Sequence, residues 1–128
     1  MNYVDANILI YALTDSSLKG EYSRKLLLNQ ELVTSTLSLD EVAYYLLKEK
    51  MKNRIEILEK LSKAPNLLWA AFTYECLPSF FSFLDKGLGP RDAIHASTAI
   101  KCSSAAIYSE DRDFDKVGLP RKIPWKNE

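Results

Sequence analysis

The sequence predicts an α/β domain built on a mainly parallel sheet with helices around it. Two observations carry this expectation. Short apolar, β-prone stretches alternate along the chain with longer segments of helical period, and strands separated by helices pair in parallel through crossover connections. The chain has 128 residues, enough for one compact domain and too few for two ordinary ones. Its 47% hydrophobic and 27% charged residues are globular proportions, which excludes disordered and collagen-like classes. One domain spanning residues 1–128 is therefore expected.

Met1 to Val4 is mostly apolar and runs straight into Asp5, after which Ile8, Leu9, Tyr11 and Ala12 recur at helical spacing. A strand thus hands over to a helix near Asp5. Residues 17–29 read as a second helix with Tyr22, Leu26 and Leu27 on its apolar face, and Glu31 to Thr34 fits a short strand. Two helices rich in Leu, Ile, Glu and Lys follow, at Ser38 to Lys50 and Asn53 to Ser62, until Pro65 and Asn66 break the run. Leu67 to Phe72 suits strand or helix; Thr73 to Lys86 reads as helix despite Pro78 and carries Phe80, Phe81, Phe83 and Leu84. The segment Gly87 to Pro90 stops that helix and starts another, with Pro90 at a favoured first position. Ala105 to Ser109 reads as a buried strand, and a last short strand is expected at Lys122 or Ile123. No repeat, low-complexity tract or internal linker interrupts the order.

Seventeen Lys plus Arg balance seventeen Asp plus Glu. That balance excludes a polybasic protein gripping nucleic acid by bulk charge, though not a local basic groove. Cys76 and Cys102 lack CxxC spacing, and His95 is the one histidine. A zinc site needs about four ligands, so structural zinc is not expected, and both cysteines read as small apolar side chains in a reducing compartment. No basic stretch followed by an apolar one opens the chain, and no apolar run approaches the roughly 18 residues of a membrane span. A cytoplasmic protein is expected.

Four acids lie where a strand ends or a helix begins: Asp5, Glu41, Asp92 and Asp111. In a parallel sheet the functional crevice lies beyond the carboxyl ends of the strands, so the four would meet at one edge. Like charges that close destabilise a fold unless a cation neutralises them. Oxygen ligands without a Cys/His cluster select a hard divalent ion, Mg²⁺ or Mn²⁺, and a natural task is metal-assisted attack of water on a phosphodiester. Each acid also has a structural reading. Asp5 can N-cap the first helix with support from Asn7. Glu41 completes a Ser38-x-x-Glu41 capping box, Asp92 complements a helix dipole two residues after Pro90, and Asp111 and Asp113 suit a turn. Four at matching topological positions favour the shared site.

These segments resemble the PIN domain family of metal-dependent ribonucleases, which includes the VapC toxins of toxin–antitoxin pairs. Asp5 and Asn7 in VDANILIYAL resemble the family's opening segment; Ser35 and Glu41 match its Ser-then-Glu segment; DAIHA at Asp92 to Ala96 and SEDRDF at Ser109 to Phe114 are similar to its last two blocks. The likeness runs almost end to end and in order. It implies an α/β/α sandwich and an acidic quartet of Asp5, Glu41, Asp92 and Asp111. Asp5 and Asp92 would be metal ligands, Asp111 would bind or position a metal with Asp113 as second candidate, and Glu41 would orient or deprotonate the attacking water. Ser109 and Asn7 would hold the carboxylates by hydrogen bonds. A homodimer and an antitoxin partner covering the groove are implied as well.

On a helical wheel Val42, Leu46, Leu39 and Ala43 define a core face, and Glu41 lies away from its centre with Tyr45 and Lys48, whereas Asp40 sits nearer the edge. Wheel position alone does not choose Glu41; the family pattern does. His95 shares a helical face with Asp92 and is expected to be a hydrogen-bonded structural residue, with phosphate contact as the alternative. Arg91 is a candidate for phosphate contact. Basic residues outnumber acids from Lys48 to Lys63, and Lys116 to Lys126 holds four basic residues and no acid; either segment could hold an RNA backbone. Tyr44, Tyr45, Phe80 and Phe81 are more aromatic surface than a small core hides easily.

Two other classes compete with the nuclease. Aspartyl-phosphate phosphatases also begin with an Asp after the first strand, but their chemistry wants Asp-x-Asp and Asn7 holds the second place. A PIN-like RNA-binding or assembly module without catalysis is the other.

Overall fold

The computed structural model describes residues 1–126. Five strands form one sheet in the order β3-β2-β1-β4-β5: β1 Asn2–Val4, β2 Leu32–Ser35, β3 Leu67–Ala70, β4 Ile107–Tyr108 and β5 Arg121–Lys122. Every pairing is parallel. The helices are α1 Ala6–Thr14, α2 Leu18–Asn29, α3 Thr36–Lys48, α4 Arg54–Ser62, α5 Leu77–Asp85 and α6 Pro90–Lys101, with short 3₁₀ turns at Tyr74–Cys76 and Arg112–Lys116.

Side chains that alternate across the strands feed two cores. Val4, Leu32 and Tyr108 pack with Ile8, Leu9, Leu26, Val42, Leu46 and Leu61 on the α1–α4 face. Tyr3, Val33 and Ile107 pack with Phe83, Leu88, Ala93, Ala96, Ala99 and Phe114 on the α5–α6 face. A sheet buried on both faces needs near-continuous apolar strands rather than an alternating pattern, and β1, β2 and β4 supply them. Small residues at 93, 96 and 99 let α6 lie close to the sheet. Gly20 serves a similar end in α2, where a Cβ would come within 1.7 Å of the Asp15 carbonyl oxygen.

The chain leaves β1 for β2 and β3 on one side, then crosses to β4 and β5 on the other. Strand order therefore reverses between β1 and β4, and a crevice opens where their carboxyl ends part. Asp5 follows β1 and Ser109 follows β4, so both stand at that point.

Several boundaries differ from the sequence expectation. The second strand runs to Ser35, and α3 starts at Thr36 rather than Ser38. The ambiguous segment after Asn66 is a strand, aligned residue for residue with β2. The single helix expected over Thr73 to Lys86 is a 3₁₀ turn followed by α5. Pro78 explains the split: it lacks an N–H and clashes with the preceding turn, so it sits in the first turn of α5, not in its interior. Lys50, expected inside a helix, lies beyond its end with a left-handed φ of 55°. No helix among the described residues is long and apolar enough to cross a membrane.

Candidate functional site

Asp5 is the best-tethered acid. It is 6% exposed, and it takes the extended N-cap conformation before α1, where Oδ1 accepts the Ala6 N–H at 2.8 Å. Its other oxygen, Oδ2, accepts the Ser109 hydroxyl at 2.7 Å. Burial raises its pKa, and His95 and Ser109 offset only part of that rise. The capping role and the site role thus coincide in one carboxylate, each oxygen serving one of them.

Ser109 binds more than Asp5. Its Oγ also accepts the Asp111 backbone N–H at 3.0 Å and the Asn7 side-chain N–H at 3.4 Å. Asn7 therefore reaches the carboxylates through Ser109, not directly as expected. Asp111 in turn accepts the Asp113 N–H at 2.9 Å, which starts the 3₁₀ turn. Asp113 points its carboxylate toward Lys116, 4.0 Å away, and is largely exposed.

Asp92 enters from the first turn of α6, behind Pro90 and Arg91. Burial, with the nearby charges of Asp111 and Asp5, pushes its carboxyl up to about 6. One turn later α6 places His95, which is 1% exposed. Its Nδ1 meets the Tyr3 hydroxyl at 2.6 Å, and its Nε2 hydrogen-bonds Glu41 and lies 3.6 Å from Asp5. Burial would lower the imidazole pKa, but the Glu41 hydrogen bond and the charges of Asp5, Glu41 and Asp92 outweigh it, leaving it raised. His95 is hydrogen-bonded and buried, as its structural reading required, and it is also in contact with the acids.

Glu41 lines the groove from α3 and meets His95 of α6. The fully buried face of α3 is Ser38, Val42 and Leu46, with Leu39 and Ala43 only half-buried. The capping box offered as the structural alternative for Ser38-x-x-Glu41 is absent. Ser35 is the N-cap, accepting the Leu37 N–H at 3.1 Å, while Ser38 lies inside α3 and pairs its hydroxyl with that of Thr34. Ser35 is thus a buried helix cap beneath the site rather than part of its lining.

Asp5, Asn7, Glu41, Arg91, Asp92 and Asp111 line one open groove of about 460 Å³, together with Asp40, Tyr44, Tyr45 and Lys48. Two triads could hold a cation. Ligand atoms of Asp5, Glu41 and His95 lie within 4.8 Å of one another, as do those of Asp92, Asp111 and Asp113. The donor set fits a hard divalent ion: carboxylate oxygens predominate, and like charges raise one another's affinity for a cation or proton. Asn7 Oδ1, buried and without a hydrogen-bond partner among the described residues, adds an unused acceptor to this lining.

Sequence reasoning missed two supports. Tyr3 counted only as an apolar strand residue, yet its hydroxyl accepts the Ser35 N–H at 3.0 Å and carries His95. Glu110 lies between Ser109 and Asp111 and turns away from the groove. Lys19 pairs with it at 2.7 Å and the Tyr11 hydroxyl donates to it, fastening the strand-end segment to α1 and α2. No local pattern joins residues 91 and 99 positions apart, so neither contact was visible.

The PIN domain family model matches residues 3–119. Among solved structures, VapC20 of Mycobacterium tuberculosis, a sarcin–ricin loop cleaving toxin, is similar with a TM-score of 0.77 at 14% identity over 93% of this chain and 96% of that one. FitAcB from Neisseria gonorrhoeae gives 0.75 at 15% identity over 98% and 99%. VapBC2 from Rickettsia felis, bound to a DNA fragment from its promoter, gives 0.69 at 22% identity over 96% and 98%. A search of curated proteins returns no significant match. At these identities the structural likeness establishes the fold, and the family model, spanning nearly the whole sheet and all four acidic segments, establishes descent: the chain belongs to the PIN domain family.

Proposed function

We propose that this chain is a Mg²⁺- or Mn²⁺-dependent endoribonuclease that hydrolyses RNA phosphodiester bonds, acting in the cytoplasm as the toxin of a type II toxin–antitoxin pair. One observation carries the reading: four carboxylates from four separate elements, Asp5, Glu41, Asp92 and Asp111, face one groove at the reversal point of a parallel sheet. Such a cluster is costly to fold without a cation to neutralise it. The toxin and toxin–antitoxin structures similar to this chain support the biological half of the proposal.

Asp5 and Asp92 would be the principal metal ligands, one in each triad, with Asp111 beside Asp92 and Asp113 able to join it from its exposed position. Bound there, a divalent ion would polarise the phosphoryl group and acidify a water. Glu41 would accept the proton of that water. His95 keeps Glu41 in place from below, and Arg91 at the groove lip would meet a substrate phosphate. Ser109 and Asn7 hold Asp5 and Asp111 in register. Asn7 spends its N–H on Ser109, an arrangement that suits support of carboxylates and not the general acid an aspartyl-phosphate phosphatase would need there.

The Phe72, Phe80 and Phe81 rings meet edge to face at 5.4 and 5.6 Å, and Phe81 is 60% exposed. This patch is the proposed homodimer contact. An antitoxin segment would cover the acidic groove.

Asp92→Asn tests the assignment. It should abolish RNA cleavage and growth inhibition while the circular dichroism spectrum stays that of the parent, and Asp5→Asn should do the same. Full activity in both variants would sink the nuclease reading. Calorimetric titration of the parent with Mn²⁺ separates the alternative: no binding together with no cleavage would favour a non-catalytic RNA-binding or assembly module.

A further inference from the structure

A second groove, of about 330 Å³, runs between α2 and the segment that follows β5. Tyr22, Lys25, Asn29 and Gln30 form one wall, and Lys122 and Lys126 the other. Among the described residues no carboxylate lines it. Lys25 has an outside partner in Glu21 at 3.3 Å, but both side chains are more than half exposed, and such pairs are weak and exchange readily. The floor is Tyr108, whose hydroxyl accepts the Gln30 side-chain N–H at 3.2 Å.

The groove is joined to the acidic site through β4. Tyr108 faces the lysines, and the next residue, Ser109, donates to Asp5. The carboxylate between the two places is Glu110, already matched by Lys19 at 2.7 Å. The Tyr11 hydroxyl donates to the same carboxylate, so both of its oxygens are occupied. The lysine-bearing wall is fixed rather than trailing: Trp125 packs edge-on against Tyr11 at 5.5 Å, with the Lys19 ammonium 5.1 Å from its ring.

We propose that this groove binds the phosphodiester backbone of an RNA strand as it leaves the acidic site, passing the neutralised Glu110–Lys19 pair. The proposal rests on the nuclease reading for the identity of the nucleic acid. Three ammonium groups line an open trough free of carboxylates among the described residues, a charge complement for a phosphate backbone. Amide and phenol donors from Asn29, Gln30 and Tyr22 supply hydrogen bonds that carry no base preference, and the Tyr22 ring, 37% exposed, holds the Lys25 ammonium 5.3 Å from its centroid, keeping that charge at the trough. The chain's zero formal charge therefore hides a segregation: acids at the reacting centre, lysines where the strand exits.

The test is anisotropy of a fluorescein-labelled oligouridylate on full-length protein carrying Asp92→Asn, so that no cleavage intervenes, with and without Lys25→Gln, Lys122→Gln and Lys126→Gln together. Each lost phosphate contact removes about 0.7 from the slope of log affinity against log salt. The triple substitution should lower that slope by about 2 and weaken binding roughly ten- to a hundred-fold near ~0.1 M salt. Replacing the same lysines by arginine should retain binding, and the triple glutamine substitution made with Asp92 intact should leave the Mn²⁺ affinity equal to the parent's, since none of the three lines the acidic groove. Unchanged oligouridylate binding in the triple glutamine variant would overturn the proposal. So would a polyglutamate peptide that needs these lysines while the oligouridylate does not, which would assign the groove to an acidic protein. If the lysines prove necessary for oligouridylate binding and the parent cleaves no RNA, the groove stands and the nuclease reading falls.

Discussion

The Tyr3 hydroxyl and Nδ1 of His95 meet at 2.6 Å across 92 positions of sequence, both residues buried to within 1% of full enclosure. The same hydroxyl accepts the Ser35 N–H, and the far nitrogen of His95 holds Glu41. One line of hydrogen bonds thus runs under the acidic groove from β2 through β1 and α6 to α3. The links from Ser35 through Tyr3 to His95 are buried and only the Glu41 end reaches the groove, so removing Tyr3 or His95 leaves unpaired groups that water does not easily reach.

Tyr3→Phe removes one oxygen and orphans both the Ser35 N–H and His95 Nδ1. Unfolding free energy should fall by about 1–3 kcal/mol, the usual cost of stranding buried polar groups. Urea denaturation monitored by fluorescence measures this. A loss below ~0.5 kcal/mol, within the range of an ordinary surface change, would show that the line contributes little.

Stability of the metal-free protein should fall as pH rises. Asp5, Asp92 and His95 all have pKa values raised by folding, so the folded state binds protons more tightly than the unfolded one, and the slope of stability with pH is negative between the two sets of values. For Asp92 the window opens at its ordinary value of 3.8 and closes at about 6. His95 extends the decline upward: its contribution is complete below its ordinary 6.5 and is lost as pH passes its raised value. The lowered carboxyls of Asp15 and Glu110 act with opposite sign, below their ordinary values of 3.8 and 4.5, and so oppose the decline only at its acid end. Melting temperature in chelator should therefore decline from about pH 5 to about pH 8. Added Mn²⁺ should raise it most at the alkaline end, where protons no longer compete for the carboxylates. A melting temperature that rises with pH in chelator would contradict the assigned shifts.

The parts of this arrangement that were legible in the sequence share a physical property: they are local. Burial on both faces demands apolar strands, and β1, β2 and β4 show them. Pro90 and the acid two residues later mark the start of α6, and Asp5 marks the start of α1. What was misread is local pattern overruled by a distant partner. Ser38 and Glu41 have capping-box spacing, yet Ser35 caps α3, because β2 continues one residue further and the Ser35 N–H is taken by Tyr3. Glu41 instead turns to His95, 54 positions away. The Lys19–Glu110 and Tyr3–His95 contacts have no signature at any short spacing, and a tyrosine in a strand reads as apolar whether or not its hydroxyl is used.

Ser35→Ala follows from that correction. The cap bond to the Leu37 N–H disappears, and loss of a serine N-cap costs about 1 kcal/mol. The backbone N–H that meets Tyr3 survives, so the loss should not exceed ~2 kcal/mol. Chemical denaturation of the variant checks the value, and a fully neutral substitution would place the cap elsewhere.

Ser109→Ala probes the junction of the site. One hydroxyl donates to Asp5 and accepts from the Asp111 backbone and Asn7, so the change frees three groups at once without removing a carboxylate. Asp5 loses a hydrogen bond that favours its ionised form; its pKa should climb further, and protons should then compete harder with a cation. Groups that orient metal ligands typically contribute 10- to 100-fold in affinity, so Mn²⁺ binding by calorimetry should weaken by about that factor near neutral pH, and by more as pH falls. The fold should persist, because Ser109 contributes no apolar packing and its backbone pairing with Lys122 remains. Parent-like Mn²⁺ affinity at every pH would mean that Asp5 and Asp111 hold their places without Ser109.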